Sequence, residues 1–266
     1  MVLSALPEAR LAASTADTVG GGRVSRPSAI VIRGDARAIP LRDESVDGIL
    51  TDEPYGMSDG HTHYRVEGDE GENVCFGEWD RELDRSWVPE SVRILKPGGT
   101  WICFTDRVEI TSLRDACIAA GLQPRNTIYW VKHNSGKHGR RNFRSNVEVA
   151  LYCVKPGAWY WANMQPCNFF LEVVGPRTMG VRYHPNQKTM TLARWLVRNT
   201  IRPGSIICDP MCGSGTFGLG AVQEGSSAIC IDRDVEAVSD RLAGRPPKYQ
   251  PKKAPKGQAS LPGLEG

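Results

Sequence analysis

Short apolar runs separated by longer mixed segments recur through the middle of the chain. Runs at residues 30–32, 48–51, 100–104, 127–132, 147–154, 205–208 and 228–231 are dominated by aliphatic, Cys and aromatic side chains. They are too short to be buried helices and predict strands, several of them covered on both faces. Between them, residues 86–95, 107–120, 189–201 and 216–224 predict helices. Pro89 falls in the first turn of the first helix, where a missing N–H is tolerated, and that helix stops at Lys96-Pro97-Gly98-Gly99. The others stop at Gly121, Pro203 and Gly225. Strands alternating with helices predict an α/β domain in which helices cover both faces of one sheet.

The two ends break this pattern. Residues 1–28 mix Ala, Ser, Thr and Gly around Gly20-Gly21-Gly22 and predict a flexible arm. Residues 245–266 set Pro246, Pro247, Pro251, Pro255 and Pro262 among lysines and predict a basic disordered tail. The folded domain is expected over 29–244, a size that one core can support. No apolar run approaches the roughly 20 residues that cross a bilayer, and Met1 is followed by no secretory leader, so the expected location is cytoplasmic. The eight cysteines form no C-x-x-C pair and read as buried thiols, with neither a disulfide framework nor a metal site expected. A net charge of +3 is too small for a polycation. Its distribution is informative: acids crowd residues 67–84, whereas residues 125–147 carry six Lys or Arg and no acid.

The segment from Ser205 through Asp209, Pro210, Met211, Cys212, Gly213, Ser214 and Gly215 to Thr216 reads as strand, tight glycine turn, helix. Such a turn points backbone N–H groups and a helix N-terminus at a polar or anionic ligand. Asp232 ends the next strand about 20 residues on, where a carboxylate can accept from a ribose diol, so a nucleoside cofactor is implied. Gly213, Gly215 and Gly218 also fit the nicotinamide spacing, and a Gly-x-Gly can serve packing alone. Little folded chain remains, however, for a second nucleotide half.

At the end of an earlier strand, Asp52-Glu53-Pro54-Tyr55 places a carboxylate, a stiffened turn and an aromatic ring together. An aromatic amine is a weak nucleophile because its lone pair is conjugated with the ring. Accepting both its N–H groups, at the Asp52 carboxylate and the carbonyl of residue 53, would localise that lone pair, and Tyr55 could stack on the base. The same four residues also make an ordinary turn.

Taken in order, these motifs resemble the beta-class DNA amino-methyltransferases, in which the catalytic D-P-P-Y-type motif precedes the cofactor motif. Gly34-Asp35 with residues 43–47, residues 76–80, Leu95-Lys96-Pro97-Gly98-Gly99 and His184-Pro185-Asn186-Gln187-Lys188 extend the resemblance over roughly 30–243. It implies a Rossmann-like methyltransferase sheet with circularly permuted motif order and inserted DNA-recognition segments, and S-adenosylmethionine as cofactor. The resemblance makes Asp52, Glu53, Pro54 and Tyr55 catalytic. It puts Asp209, Pro210, Met211, Gly213, Ser214, Gly215, Thr216 and Asp232 around the cofactor, with Asp35 at its adenine. His184, Gln187 and Lys188 would close over its methionine end, although Asp35 also reads as a surface turn acid and His184 as a helix cap.

Lys132, Lys137, Arg140, Arg141 and Arg144 in the acid-free stretch are the candidate phosphate contacts, making duplex DNA the expected partner, with no membrane and a homodimer left open. Residues 159–182 are expected to add target recognition. The reaction expected is methyl transfer to the exocyclic amine of a flipped-out base, adenine N6 first because Asp stands at 52 where Ser is commoner for cytosine. Cytosine N4 and a catalytically silent DNA-binding protein are the other readings. The last arises because Glu53 replaces the family's first proline. Glu53 is expected to point away from the base, leaving a slowed enzyme that Glu53→Pro quickens less than about tenfold.

Overall fold

The computed structural model describes residues 26–55, 83–133, 146–162, 166–184 and 186–248. The expected arm up to residue 25, the tail from 249, the 76–80 motif and Lys137, Arg140, Arg141 and Arg144 lie outside the described residues.

In chain order the elements are β1 (Ala29–Arg33), β2 (Val46–Asp52), α1 (Trp87–Ile94), β3 (Leu95–Thr105), α2 (Ile110–Ala119), β4 (Gln123–Lys132) and β5 (Val147–Val154). They continue as β6 (Phe169–Glu172), α3 (Pro176–Met179), α4 (Met190–Thr200), β7 (Ile206–Asp209), α5 (Thr216–Gln223), β8 (Ser227–Asp232) and α6 (Glu236–Leu242). Eight strands form one sheet in the order β1-β8-β7-β2-β3-β5-β4-β6. Its neighbours pair in parallel except on the two sides of β5, which runs against both β3 and β4. This is the expected α/β sheet.

Period-two alternation sends successive side chains of each central strand into different cores. Ile49, Trp101 and Cys103 join Trp87, Val88 and Leu113 of α1 and α2 on one face. Leu50, Ile102 and Phe104 join Leu192, Leu196 and Phe217 of α4 and α5 on the other. On α4 the buried positions Leu192, Ala193, Leu196 and Val197 recur at helical spacing, while Arg194 and Arg198 on the outer side both reach Glu224.

Three elements escape the sequence pattern. β6, within residues 159–182, extends the sheet beside β4, Tyr129 opposite Phe169 and Lys132 opposite Glu172. α3 is a single turn, and α6 follows β8 so closely that no apolar run separates them. Arg245 and Lys248, expected in the tail, pair with Asp240 and Glu236 of α6. β3 also begins earlier than its apolar run. Leu95 pairs with Val46, and the glycines of the expected helix stop become strand backbone bonded to Lys155.

The topology places the functional motifs. β7 and β2 are neighbours, but the chain leaves β7 toward β8 and leaves β2 toward β3. Their carboxyl ends therefore flank a crevice at the point where strand order reverses, the usual ligand position in open α/β sheets.

Gly98 has φ +75, and a Cβ there would stand 2.2 Å from the Ala158 carbonyl oxygen, a backbone atom that cannot step aside. Gly98→Ala should lower unfolding free energy by about 2 kcal/mol or more, combining left-handed strain with overpacking. Urea titration checks this, and wild-type stability would contradict it.

Candidate active site

β7 delivers Asp209, fully buried, to the floor of the crevice, where its Oδ1 accepts from Thr51 Oγ1 of β2 at 2.8 Å. The chain then turns through Gly213 at φ +50 and Gly215 at φ +73 into α5. A side chain at Gly215 would collide with Val238, its Cβ 2.5 Å from Cγ2, so Gly215 shapes the turn. Gly213 N–H donates to Asp232 Oδ2 at 2.7 Å, fastening the loop to the end of β8. A cavity of about 970 Å³ runs from here to the Asp52–Tyr55 turn, lined by Asp35, Asp52, Tyr55, Asp209, Pro210, Met211 and Asp232 among others. A buried acid, Asp209, and a half-buried one, Asp232, around a glycine turn suit a cofactor with a cationic end and a ribose diol.

Several expected cofactor residues take other partners. The Ser214 and Thr216 hydroxyls lie 3.1 Å apart, and Arg241 donates to the Thr216 hydroxyl at 2.8 Å and the Ser214 carbonyl at 3.1 Å. Asp35 reaches the cavity, but its oxygens accept from the Arg37 and Arg233 guanidiniums, the first of which above all holds its carboxyl well below the usual range. Gln187 is buried, accepting from Tyr183 N–H at 2.9 Å and donating to the Val181 carbonyl at 3.1 Å, so it braces its own loop. His184 lies against the glycine turn, and burial first, then the Lys188 charge, lowers its pKa.

Lys188, expected at the methionine end of the cofactor, lines the cavity and stands beside Asp52, Nζ 2.5 Å from Asp52 Oδ2, 2.8 Å from Glu148 Oε2 and 3.2 Å from the Tyr55 hydroxyl. Tyr55 OH donates to Asp52 Oδ1 at 2.9 Å. Lys132, expected at a DNA phosphate, lies against Glu148 Oε1 at 2.5 Å with its ammonium over the Trp130 ring. Lys132 and Glu148 sit on the cavity-facing side of the β4–β5 ladder, which brings them together. Burial raises Glu148, but Lys188 and Lys132 overcome it and hold its carboxyl at about 2. Burial likewise opposes charge on Lys188, yet Asp52 and Glu148 keep it protonated. Asp52 itself is pushed up by burial, against the pull of Lys188.

A family model described as DNA methylase matches residues 46–242. The chain belongs to the N6/N4 DNA methylase family. It is 30% identical over 219 residues to the type II methyltransferase M2.DpnII of Streptococcus pneumoniae, covering 74% of this chain and 81% of that one. It is 25% identical over 246 residues to M2.LlaDCHI of Lactococcus lactis subsp. cremoris, covering 82% and 91%. Among solved structures, the M1.HpyAVI–SAM complex superposes with TM-score 0.60 at 21% identity, covering 79% of this chain and 96% of that one. The cytosine-N4-specific PvuII DNA methyltransferase superposes with TM-score 0.62 at 15% identity, covering 82% and 86%. Among the described residues of this methylase, no helix is long and apolar enough to cross a membrane.

In this methylase the unusual Glu53 is an internal tie. Its side chain is 1% exposed, accepting from Arg85 Nη2 at 2.9 Å and from Thr105 Oγ1 at 2.6 Å, and among the described residues it shares no hydrogen-bond partner with Asp52. Burial raises the Glu53 carboxyl, opposed by Arg85. The residue 53 N–H donates to the Phe104 carbonyl at 3.2 Å and continues the β2–β3 ladder. A proline would delete that bond and take from Arg85, whose side chain is 13% exposed, its nearest carboxylate, leaving it only Glu109 and Ser112. Glu53→Pro is therefore expected to destabilise the methylase by about 3 kcal/mol and not to quicken it. A denaturant midpoint at or above wild type would overturn this account.

Burial, reinforced by Asp232 and Asp52, pushes Asp209 up to about 8. An unfolded aspartate titrates near ~4. Between these values the folded protein holds a proton that the unfolded chain has lost, so stability falls as pH rises. The cofactor-free methylase should lose melting temperature from pH 5 to 8.5, and Asp209→Asn should flatten that slope. A melting temperature that climbs over this range would contradict the buried protonated acid.

Proposed function

We infer that this methylase transfers a methyl group from S-adenosylmethionine to the exocyclic amine of a base flipped out of duplex DNA, with adenine N6 as the target. The observation that carries the reading is the placement of Asp52 and Asp209 at the carboxyl ends of adjacent parallel strands, opening into one cavity. When bound, the cofactor supplies a methyl group made electrophilic by its sulfonium. Asp209, Asp232 and the Gly213 backbone hold that side of the crevice. Asp52 and the carbonyl of residue 53 accept the two amine N–H bonds, which localises the nitrogen lone pair and aims it across the cavity. Asp52 orients and stabilises, and the nitrogen loses its proton after it has gained the methyl group. Tyr55 lines the same cavity, and its ring is proposed to stack on the flipped base.

Asp rather than Ser at position 52 supports adenine over cytosine. Lys137, Arg140, Arg141 and Arg144 are proposed as phosphate contacts; with Lys132 held by Glu148, they carry that role without it.

Incubating the full chain with labelled cofactor and unmethylated chromosomal DNA, then resolving the nucleosides by mass, tests the reading. N6-methyladenine is expected. N4-methylcytosine would transfer the same chemistry to the other base, and cofactor binding without any methylated nucleoside would favour the silent DNA-binding reading. Asp52→Ala should lower turnover about a hundredfold or more while cofactor affinity by calorimetry stays near wild type. Undiminished methylation would remove Asp52 from the mechanism.

A further inference from the structure

The methyl-transfer reading requires Asp52 to be an acceptor, which burial disfavours. A carboxyl group withdrawn from water tends to take up a proton, and a second carboxylate nearby strengthens that tendency. Both conditions hold. The Asp52 side chain is 20% exposed, and Glu148 is close enough to share Lys188 with it. A protonated Asp52 would present an O–H, which competes with the amine N–H for acceptors and cannot fix the amine lone pair.

We propose that Lys188 is a positioning residue of the transfer: clamped by Glu148, it holds Asp52 in the ionised, accepting state. This rests on the methyl-transfer reading. An ammonium has three donors, and the three acceptors around Lys188 are Asp52 Oδ2, Glu148 Oε2 and the Tyr55 hydroxyl. None is left for a cofactor carboxylate or a DNA phosphate, and the side chain is only 6% exposed. Its backbone is equally constrained. The next residue, Thr189, caps α4 by accepting from Leu192 N–H and donates to Glu172 Oε2 at 2.7 Å. Glu172 also accepts from Trp130 Nε1 at 3.1 Å and from the Thr191 hydroxyl, so the end of β6 fixes where Lys188 enters the cavity.

The charged and titratable groups around Asp52 can be named by element. Tyr55 comes from the catalytic turn, Cys103 from β3, Glu148 from β5 and Asp209 from β7. Lys132 of β4 acts through Glu148, and His184 is coupled to Lys188. Two cations, Lys188 and Lys132, therefore balance Asp52 and Glu148. Without Lys188, two carboxylates would face one remaining ammonium, and the one farther from Lys132 is Asp52. Its acceptor form would be depleted about tenfold for each unit by which its pKa exceeds the working pH.

The test compares wild type, Lys188→Met, Lys188→Arg and Lys188→Met combined with Asp52→Asn, as full chains. Single-turnover methylation of unmethylated chromosomal DNA is followed from pH 6 to 9, with the infrared signature of protonated carboxyl groups recorded in parallel. Wild type and Lys188→Arg should show a flat profile. Lys188→Met should be slowed at least about tenfold at pH 7 and gain rate with rising pH, with a second protonated-carboxyl band at neutral pH beside the one that Asp209 gives in wild type. Adding Asp52→Asn should remove both the pH dependence and that second band, because an amide oxygen accepts at any pH. A flat profile for Lys188→Met, or a lost cofactor affinity with no new band, would overturn the proposal. The infrared arm decides the role of Lys188 even if no methylated nucleoside forms, an outcome that would instead strike the reaction itself.

Discussion

The constraint on which this structure depends is the burial of negative charge along one edge of the sheet. β2, β6, β7 and β8 end in Asp52, Glu172, Asp209 and Asp232, and Asp35 follows β1 by two residues. These strands point the same way, so Asp35, Asp52, Asp209 and Asp232 gather where the crevice opens, with Glu172 behind its wall. Left uncompensated, such a group would either repel itself apart or neutralise by protonation. The fold answers each acid differently. Arg37 and Arg233 take Asp35, Lys188 takes Asp52, hydroxyls and an indole take Glu172, backbone N–H groups take Asp232, and Asp209 keeps a proton. Each answer leaves a different chemical character at that point of the cavity.

On the proposed reaction, that division suits one crevice to two ligands. Asp209 holds its charge in reserve, since loss of its proton yields a carboxylate for a cationic cofactor, whereas the Asp52 side has to be an acceptor already when an uncharged amine arrives. Glu53 belongs to neither side. Its carboxylate is turned into the protein, where Arg85 and Thr105 use it to anchor the turn that carries Asp52. The ring of a proline and an ion pair are thus two ways to restrain the same backbone, one local and one across 32 residues.

The strands and four longer helices were legible because burial on both faces leaves apolar runs that need no knowledge of neighbours. β6 was not, since four residues of Phe-Phe-Leu-Glu become a strand only by pairing with β4. The motif residues were legible by type and order, but their partners were not. Lys132 read as a phosphate contact because residues 125–147 hold no acid; the acid that claims it is Glu148, one residue beyond that window. The signal was available in the hairpin, where two adjacent strands with Lys near the end of one and Glu near the start of the next become cross-strand neighbours. Lys188 and Asp52 lie 136 residues apart, and no spacing rule joins them. The sequence also could not show that the N–H of residue 53 was already committed to Phe104.

The place of β1 has a consequence for how the protein is made. It sits at the edge of the sheet and pairs with β8 alone, Ala29 against Ala228, while β2 waits for β7 on its inner side. A ribosome delivers β1 and β2 long before either partner, so the emerging chain carries strand edges that nothing can yet cover. Local pairing can close the stretch from β2 to β6 early, and the long-range ladders of β7 and β8 must come last. The half of the crevice that holds Asp52 therefore acquires its neighbouring strand only after residue 206 has been synthesised. Translation order makes the methylase's competence the final event of its folding.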